Sequence, residues 1–366
     1  MPSDLAFFAS KAFDSLHPAL LINKLKAYGF SEQALRLMRS YFINRQNRVK
    51  LNSVVSDWKD MRRGCPQGSS FGPLLWNIFQ NDLTYQITDG NLSMYADDHQ
   101  IYVIAESISE VEQTLKNEGV VISRWYNENY LKGNHKKYGA MILCNRDSED
   151  AAINVTIDGE NVESKPFLKL LGVTLDSRLN YSSHISDVCK KAGSKVGVLN
   201  RLKKLVPTHA LLQLYKAGVL PNLTYCHMVW HFCRASDTKK LERVQERALR
   251  AVFSNKTATY EQLLEWARLP SLENRRLQDI LILMYKVKHN LVPKTMIGIF
   301  PTSNSKYNLR NKDFSIPRVN TTKYGKHSIR YLGPYLWSKM NISLRDRKST
   351  RLNSSHITRS RMPSSA

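Results

Sequence analysis

The stretch NLSMYADDHQIYVIAE, residues 91–106, decides how this chain is read. An apolar run climbs to Tyr95-Ala96, meets Asp97-Asp98 and resumes as Ile101-Tyr102-Val103-Ile104. That pattern predicts a hydrophobic hairpin with two carboxylates at its tip. Successive strand residues face opposite ways, so neighbouring carboxylates serve one site only if a turn brings both to the tip. Hard cations such as Mg²⁺ prefer carboxylate oxygens. Two such ions about 4 Å apart can activate an attacking hydroxyl and stabilise a leaving group. The bland alternative is a solvated turn, where Asp is common.

The context narrows the choice. Upstream lies RRGCPQGSSFGPLL, residues 62–75, with Gly64, Gly68 and Gly72 at four-residue spacing and Pro66 and Pro73 between them. This reads as a tight turn that opens a helix, where backbone can approach a nucleotide closely. Gln67 supplies an amide for contact with a base or sugar.

Working outward, HPALLINKLKAY (17–28) and GFSEQALRLMRSYF (29–42) carry helical spacing, with Gly29 as a stop and Ser31 as an N-cap. Residues 47–64 alternate as two short strands, and residues 71–87 form a buried helix with Pro73 in its first turn. A long amphipathic helix follows the hairpin, capped at Ser107 or Ser109. YGAMILC, INVTIDG and FLKLLGVTLD then read as strands and a strand pair. Helices laid on one face of an antiparallel sheet make an α+β domain, here residues 1–181. From 182 to 295 the pattern is helical, with basic residues on the polar faces. Residues 296–345 form a basic C-terminal region, of which 300–330 reads as loop. The Ser/Arg-rich 346–366 reads as a disordered or non-native tail.

The charge is lopsided. Residues 1–150 hold 17 Lys+Arg against 17 Asp+Glu, so the whole net charge of +23 falls on residues 151–366. A basic half beside a neutral one points to a polyanionic partner. No apolar run approaches the ~18 residues that span a bilayer, so no membrane partner is expected. The N-terminus lacks the basic region of a signal peptide. Five scattered cysteines argue against a disulfide framework and for a reducing compartment; the expected setting is intracellular, cytoplasm and nucleus.

Five motifs in order resemble the reverse transcriptases of non-LTR retrotransposons, close to the jockey type. They are SKAFDSLHP, RGCPQGSSFGPLL, YADD, LKGNHKKYGAMIL and FLKLLGVTLDSRLNY, together covering about residues 8–181. The resemblance implies a right-hand polymerase palm followed by a helical, thumb-like region. It implies RNA-directed DNA polymerase activity, transferring nucleotides from dNTPs to a primer 3′-hydroxyl with two Mg²⁺ or Mn²⁺ ions. Its partners would be an RNA template, a DNA primer and other element-encoded proteins. Asp97 would be the main metal ligand, with Asp98 beside it. Gly64, Pro66, Gln67 and Gly68 would cradle the incoming nucleotide. Phe13 would sit under its sugar and exclude a 2′-hydroxyl. Lys137, in Asn134-x-x-Lys137, would donate a proton to pyrophosphate, and Leu171-Gly172 would grip the primer.

The chain departs from this family at one position. Aligning SKAFD in register puts Phe8 where the family has its leading, metal-binding Asp. Asp4 lies four residues too early, and Asp14 matches a second Asp that is usually no ligand. The fingers and an upstream endonuclease are expected to lie outside the chain, which reads as N-terminally truncated. A catalytically inactive nucleic-acid-binding remnant is the second reading.

Three further segments admit two readings each. CHMVWHFC (226–233) offers Cys226, His227, His231 and Cys233, with the histidines on one helix face at a zinc-like spacing, or simply a packed helix. Core packing is the better expectation. RVQERALR (243–250) and NRLKKL (200–205) are solvated helix faces or phosphate contacts. KYGKHSIRYLGPYLW (323–337) either stacks on single-stranded bases or forms a small packed subdomain.

Overall fold

The computed structural model describes residues 2–8, 12–66, 68–143, 153–302 and 313–341, with backbone alone for 2–8, 12, 323 and 324. Gln67, Cys144 and the 346–366 tail lie outside the described residues. The chain divides into two units, Met1–Leu179 and Asn180–Ala366.

In the first unit, β1 (Pro2–Phe8) leads into a single turn, α1 (Ala12–Ser15), and two helices, α2 (Pro18–Ala27) and α3 (Glu32–Phe42). Ser31 caps α3 by accepting from Ala34 N, as the sequence predicts. The alternating stretch forms the two arms of one hairpin, in keeping with the two short strands expected. Its outer rungs are β2 (Gln46–Asn47) with β5 (Lys59–Asp60), and its inner rungs are β3 (Lys50–Leu51) with β4 (Val54–Val55). Then come α4 (Gly72–Gln80), β6 (Asn91–Tyr95), β7 (Asp98–Ile104), α5 (Ile108–Glu128) and β8 (Gly139–Ile142). The hairpins β9 (Asn154–Ile157) with β10 (Glu160–Glu163), and β11 (Phe167–Leu170) with β12 (Val173–Asp176), complete the unit.

The principal sheet has the order β6-β7-β1-β8, and every pairing in it is antiparallel. Along β7, His99, Ile101 and Val103 are buried, while Asp98, Gln100, Tyr102 and Ile104 are more open. That period of two assigns one face to the core. Trp76 and Phe79 of α4 and Leu115, Ile122 and Trp125 of α5 join Ile101 and Val103 in one apolar cluster. Lys24 ties α2 to this layer. Its Nζ lies 2.7 Å from Asp82 Oδ2, whose other oxygen accepts from Trp125 Nε1 at 3.0 Å. On the other side of β8, Met141 packs on Leu168 of β11.

Hydrogen bonds also fix where the YADD hairpin starts. Glu118 of α5 is 2% exposed, and its Oε1 accepts from Thr88 N, Asp89 N and Gly90 N, immediately before β6. A buried carboxylate held by three N–H donors compensates its own desolvation.

The second unit is helical: α6 (Ser182–Leu202), α7 (Thr208–Leu214), a π-helical turn at Tyr215–Val219, α8 (Leu220–Thr224), α9 (Ala235–Phe253), α10 (Tyr260–Ala267), α11 (Leu272–Lys288), α12 (Lys294–Ile299) and α13 (Ile329–Lys339). α6 packs along α9, and α10 begins with a capping box made by Thr259 and Gln262. A polar chain runs through the interior. Tyr215 donates to Gln245 at 2.7 Å, Gln245 donates to Tyr260, and Tyr260 donates to Glu242.

The segment 226–233 corrects one expectation. It is a run of turns between α8 and α9, not a helix, so His227 and His231 share no helix face. His227 Nε2 bonds Asp279 at 2.8 Å, and His231 Nδ1 accepts from Arg276 Nε at 3.3 Å. Trp230 is fully buried, which is the packing role expected of the segment. The 323–337 stretch forms α13 at its end, where Trp337 is buried with Met284, Phe300 and Phe314 and donates to Asp313.

Candidate active site

Tyr95 pairs with Asp98, so the tip of the hairpin is the two-residue turn Ala96-Asp97. Ala96 has φ +53, the left-handed region that costs a residue with a Cβ roughly 1 kcal/mol or more. The turn is held from beneath. Trp76 Nε1 donates to Ala96 O at 2.8 Å. The tip thus brings Asp97 and Asp98 together, as the hairpin reading requires. Among the described residues, no three His, Cys, Asp or Glu side chains gather to hold a metal ion.

The electrostatics of the pair are specific. Partial burial and the neighbouring Asp97 charge push the Asp98 carboxyl up, and the Lys137 ammonium pulls it back down. Lys137 ends a short 3-10 turn, His135–Lys137, that leads into β8. Its placement beside Asp98 comes from the sheet. β1 lies between β7 and β8 and is antiparallel to both, so the two flanking strands start at the same end of it.

Phe8 is the register partner of Asp98 across the β1–β7 pair. The aligned position of the leading Asp is therefore opposite the second aspartate of the turn.

The glycine turn lies against the chain that follows β1. Gly64 N donates to Leu16 O at 2.7 Å and Cys65 N to Phe13 O at 3.0 Å. Gly64 has φ +79, and a Cβ there would sit 2.9 Å from the Asp14 backbone. Only glycine satisfies both conditions without distortion. Gly68 has the same φ but open space around it, and Pro66 is half-buried. Arg45 Nη1 closes the turn from outside by donating to Gly64 O at 2.6 Å. Phe13 is half-buried, with its ring centroid 5.5 Å from Trp76, the residue that holds the aspartate turn. Phe13, the glycine turn and Asp97-Asp98 are therefore neighbours through one tryptophan.

Leu171 and Gly172 form the turn between β11 and β12, both at positive φ. Leu171 lines a small hollow of ≈ 20 Å³ with Ser93, Tyr95 and Asp98.

Four residues of this region escaped the sequence reading: Trp76, which holds the aspartate turn, and Gln80, His99 and Tyr126. His99 is 1% exposed, and its Nδ1 lies 2.7 Å from the Tyr126 hydroxyl. Its Nε2 lies 3.0 Å from Gln80 Oε1. Burial holds the His99 pKa down at about 4, so the ring is neutral at pH 7. Burial likewise raises the Tyr126 phenol, with the Asp97 and Asp98 charges adding to it. The available signal was His99 itself, a polar residue on the inward register shared by Ile101 and Val103.

Residues 6–175 match the family described as reverse transcriptase (RNA-dependent DNA polymerase). The "probable RNA-directed DNA polymerase from transposon BS" of Drosophila melanogaster is 26% identical over 66% of this chain and 28% of its own length. The RNA-directed DNA polymerase from mobile element jockey of the same organism is 26% identical over 66% of this chain and 27% of its own. The chain spans just over a quarter of the length of these relatives. Among solved structures, apo telomerase from Candida tropicalis is 13% identical with a TM-score of 0.40, over 81% of this chain and 51% of that one. Both turns lie inside the matched span, so residues 6–175 are similar to the reverse transcriptase family, and the relatives named here are RNA-directed DNA polymerases of mobile elements.

Proposed function

We propose that this chain is the palm and thumb-like part of an RNA-directed DNA polymerase that extends a DNA primer on an RNA template from dNTPs. The observation that carries the reading is the Trp76–Ala96 hydrogen bond. It fastens the carboxylate turn to the helix that the glycine turn opens. A nucleotide seated over Gly64, Pro66, Gln67 and Gly68 would then present its phosphates near Asp97 and Asp98. Phe13, on the same tryptophan, would lie under the sugar and disfavour a 2′-hydroxyl. Lys137 would hold a proton for the departing pyrophosphate. Leu171 and Gly172 would meet the primer backbone beside Asp98. The basic helices of the second unit would follow the duplex phosphates. The setting is intracellular, with other element-encoded proteins as further partners.

The donor set fits one hard cation. Mg²⁺ is commonly held by one or two carboxylates together with substrate phosphates, and Asp97 and Asp98 supply that pair. Such an ion would polarise a phosphoryl oxygen and neutralise developing charge. A second ion has no ligand in the register partner of Asp98, because a phenylalanine offers no donor atom. We infer that Phe8 impairs catalysis, and that binding without copying is the alternative for this chain.

Primer extension on an RNA template with Mg²⁺ or Mn²⁺ tests the reading. Extension that vanishes in Asp97→Ala supports the polymerase. Salt-sensitive binding of the primer–template with no extension supports the binding remnant.

A further inference from the structure

The helix α4 reaches the aspartate hairpin twice, four residues apart. Trp76 donates to the carbonyl of Ala96, just before Asp97. Gln80 accepts from His99, just after Asp98. Residues four apart share one face of a helix, so a single face of α4 grips the hairpin on both sides of the carboxylate pair. The grip is closed behind by α5. With Gln80 Oε1 taking the Nε2 proton, His99 Nδ1 is left to accept from the Tyr126 hydroxyl. All of these side chains are buried, Trp76 and His99 almost completely. Trp76 has no freedom to retreat, since its ring meets Phe13 at 5.5 Å and Phe79 at 5.8 Å.

Left to itself, the turn would be loose. Ala96 holds a left-handed conformation that alanine disfavours, and the two carboxylates repel. A relaxed turn would spread them apart. The same helix begins at Gly72, where the glycine turn ends, so its orientation also carries the position of that turn.

We propose that Trp76, Gln80, His99 and Tyr126 are positioning residues that set the Asp97-Asp98 carboxylates for a divalent cation. The inference rests on the cation site of the proposed function. It adds that this site is assembled by one face of α4, through an indole N–H and an imidazole.

The test is Mn²⁺ binding to the full chain, followed by electron paramagnetic resonance, beside thermal unfolding and amide exchange. Trp76→Phe keeps an aromatic ring in place and removes the N–H donor together with part of the buried indole. Binding is expected to weaken about tenfold, and exchange at Asp97 and Asp98 to quicken by a similar factor, while the cavity lowers the unfolding midpoint without unfolding the chain. Gln80→Met, which removes the acceptor for His99 with little change in volume, is expected to shift binding in the same direction and provides the measurement if Trp76→Phe does not fold. Asp97→Asn fixes the reference. If Asp97→Asn abolishes binding while Trp76→Phe and Gln80→Met leave it unchanged, the positioning inference is overturned and the cation site stands. If Asp97→Asn leaves Mn²⁺ binding intact, the cation site itself is wrong and the inference falls with it.

Discussion

Phe8 and Asp98 are register partners on neighbouring antiparallel strands. The relation turns a sequence alignment into a spatial statement: the residue aligned with the missing carboxylate is opposite the second aspartate of the turn. Phe8→Asp should therefore supply the absent donor. We expect Mn²⁺ affinity to rise about tenfold or more, a gain of ~1.4 kcal/mol, and primer extension to increase by orders of magnitude. Calorimetric titration and an extension assay of both chains measure this. Unchanged affinity would mean that the strand pair does not present position 8 to the site.

The two glycines of the 64–68 turn should respond differently to alanine. At Gly64 a Cβ meets the Asp14 backbone at 2.9 Å in addition to the positive φ, whereas Gly68 has the positive φ and open space. Gly68→Ala should cost about 1 kcal/mol, the backbone cost alone. Gly64→Ala should cost more than about 2 kcal/mol, because backbone must move. Urea unfolding of the two variants gives the comparison, and equal losses would contradict the close approach of the turn to α1.

Glu118 predicts a stability effect away from the carboxylates. Its Oε1 accepts from the N–H groups of Thr88, Asp89 and Gly90 together. Glu118→Ala leaves three donors without that partner and should destabilise the first unit by roughly 3 kcal/mol or more. Glu118→Gln keeps an acceptor oxygen and should lose about half as much. Unfolding midpoints would show this order, and a reversed order would exclude the anchoring role.

How far the sequence carried the structure depends on the range of the interaction. The hairpin, its tip at Asp97, the caps at Ser31 and Ser107 and the helical second unit all follow from local periodicity and capping chemistry. The CHMVWHFC segment read as helical because its histidines stand four residues apart in an apolar stretch, yet Trp230 is buried inside a run of turns. What fixes it is long-range: Asp279 and Arg276, both on α11, take His227 and His231. The candidate site divides in the same way. Asp97, Asp98 and the glycines are legible as motifs, but the Trp76–Ala96 and Gln80–His99 bonds join segments 19 or 20 residues apart. No local pattern encodes a partner at that distance.

The same α11 contacts predict an acid response. His231 is buried beside Arg276, with His227 and His327 adding charge nearby, and its pKa is held down at about 4 against an ordinary 6.5. Its Nδ1 accepts from Arg276 Nε, so protonation there would set two donors against each other. Between pH 6.5 and 4 the unfolded chain therefore takes up a proton that the folded chain refuses. The contribution to stability is complete above about pH 6.5 and is lost as the pH falls towards 4, by at most about 3 kcal/mol. His231→Asn retains an acceptor for Arg276 and does not titrate. Urea unfolding at pH 7.5 and 4.5 should show the parent losing about 2 kcal/mol more than the variant, with the buried His99 common to both chains. Equal losses in the two chains would mean that the His231 imidazole is not held neutral in the fold.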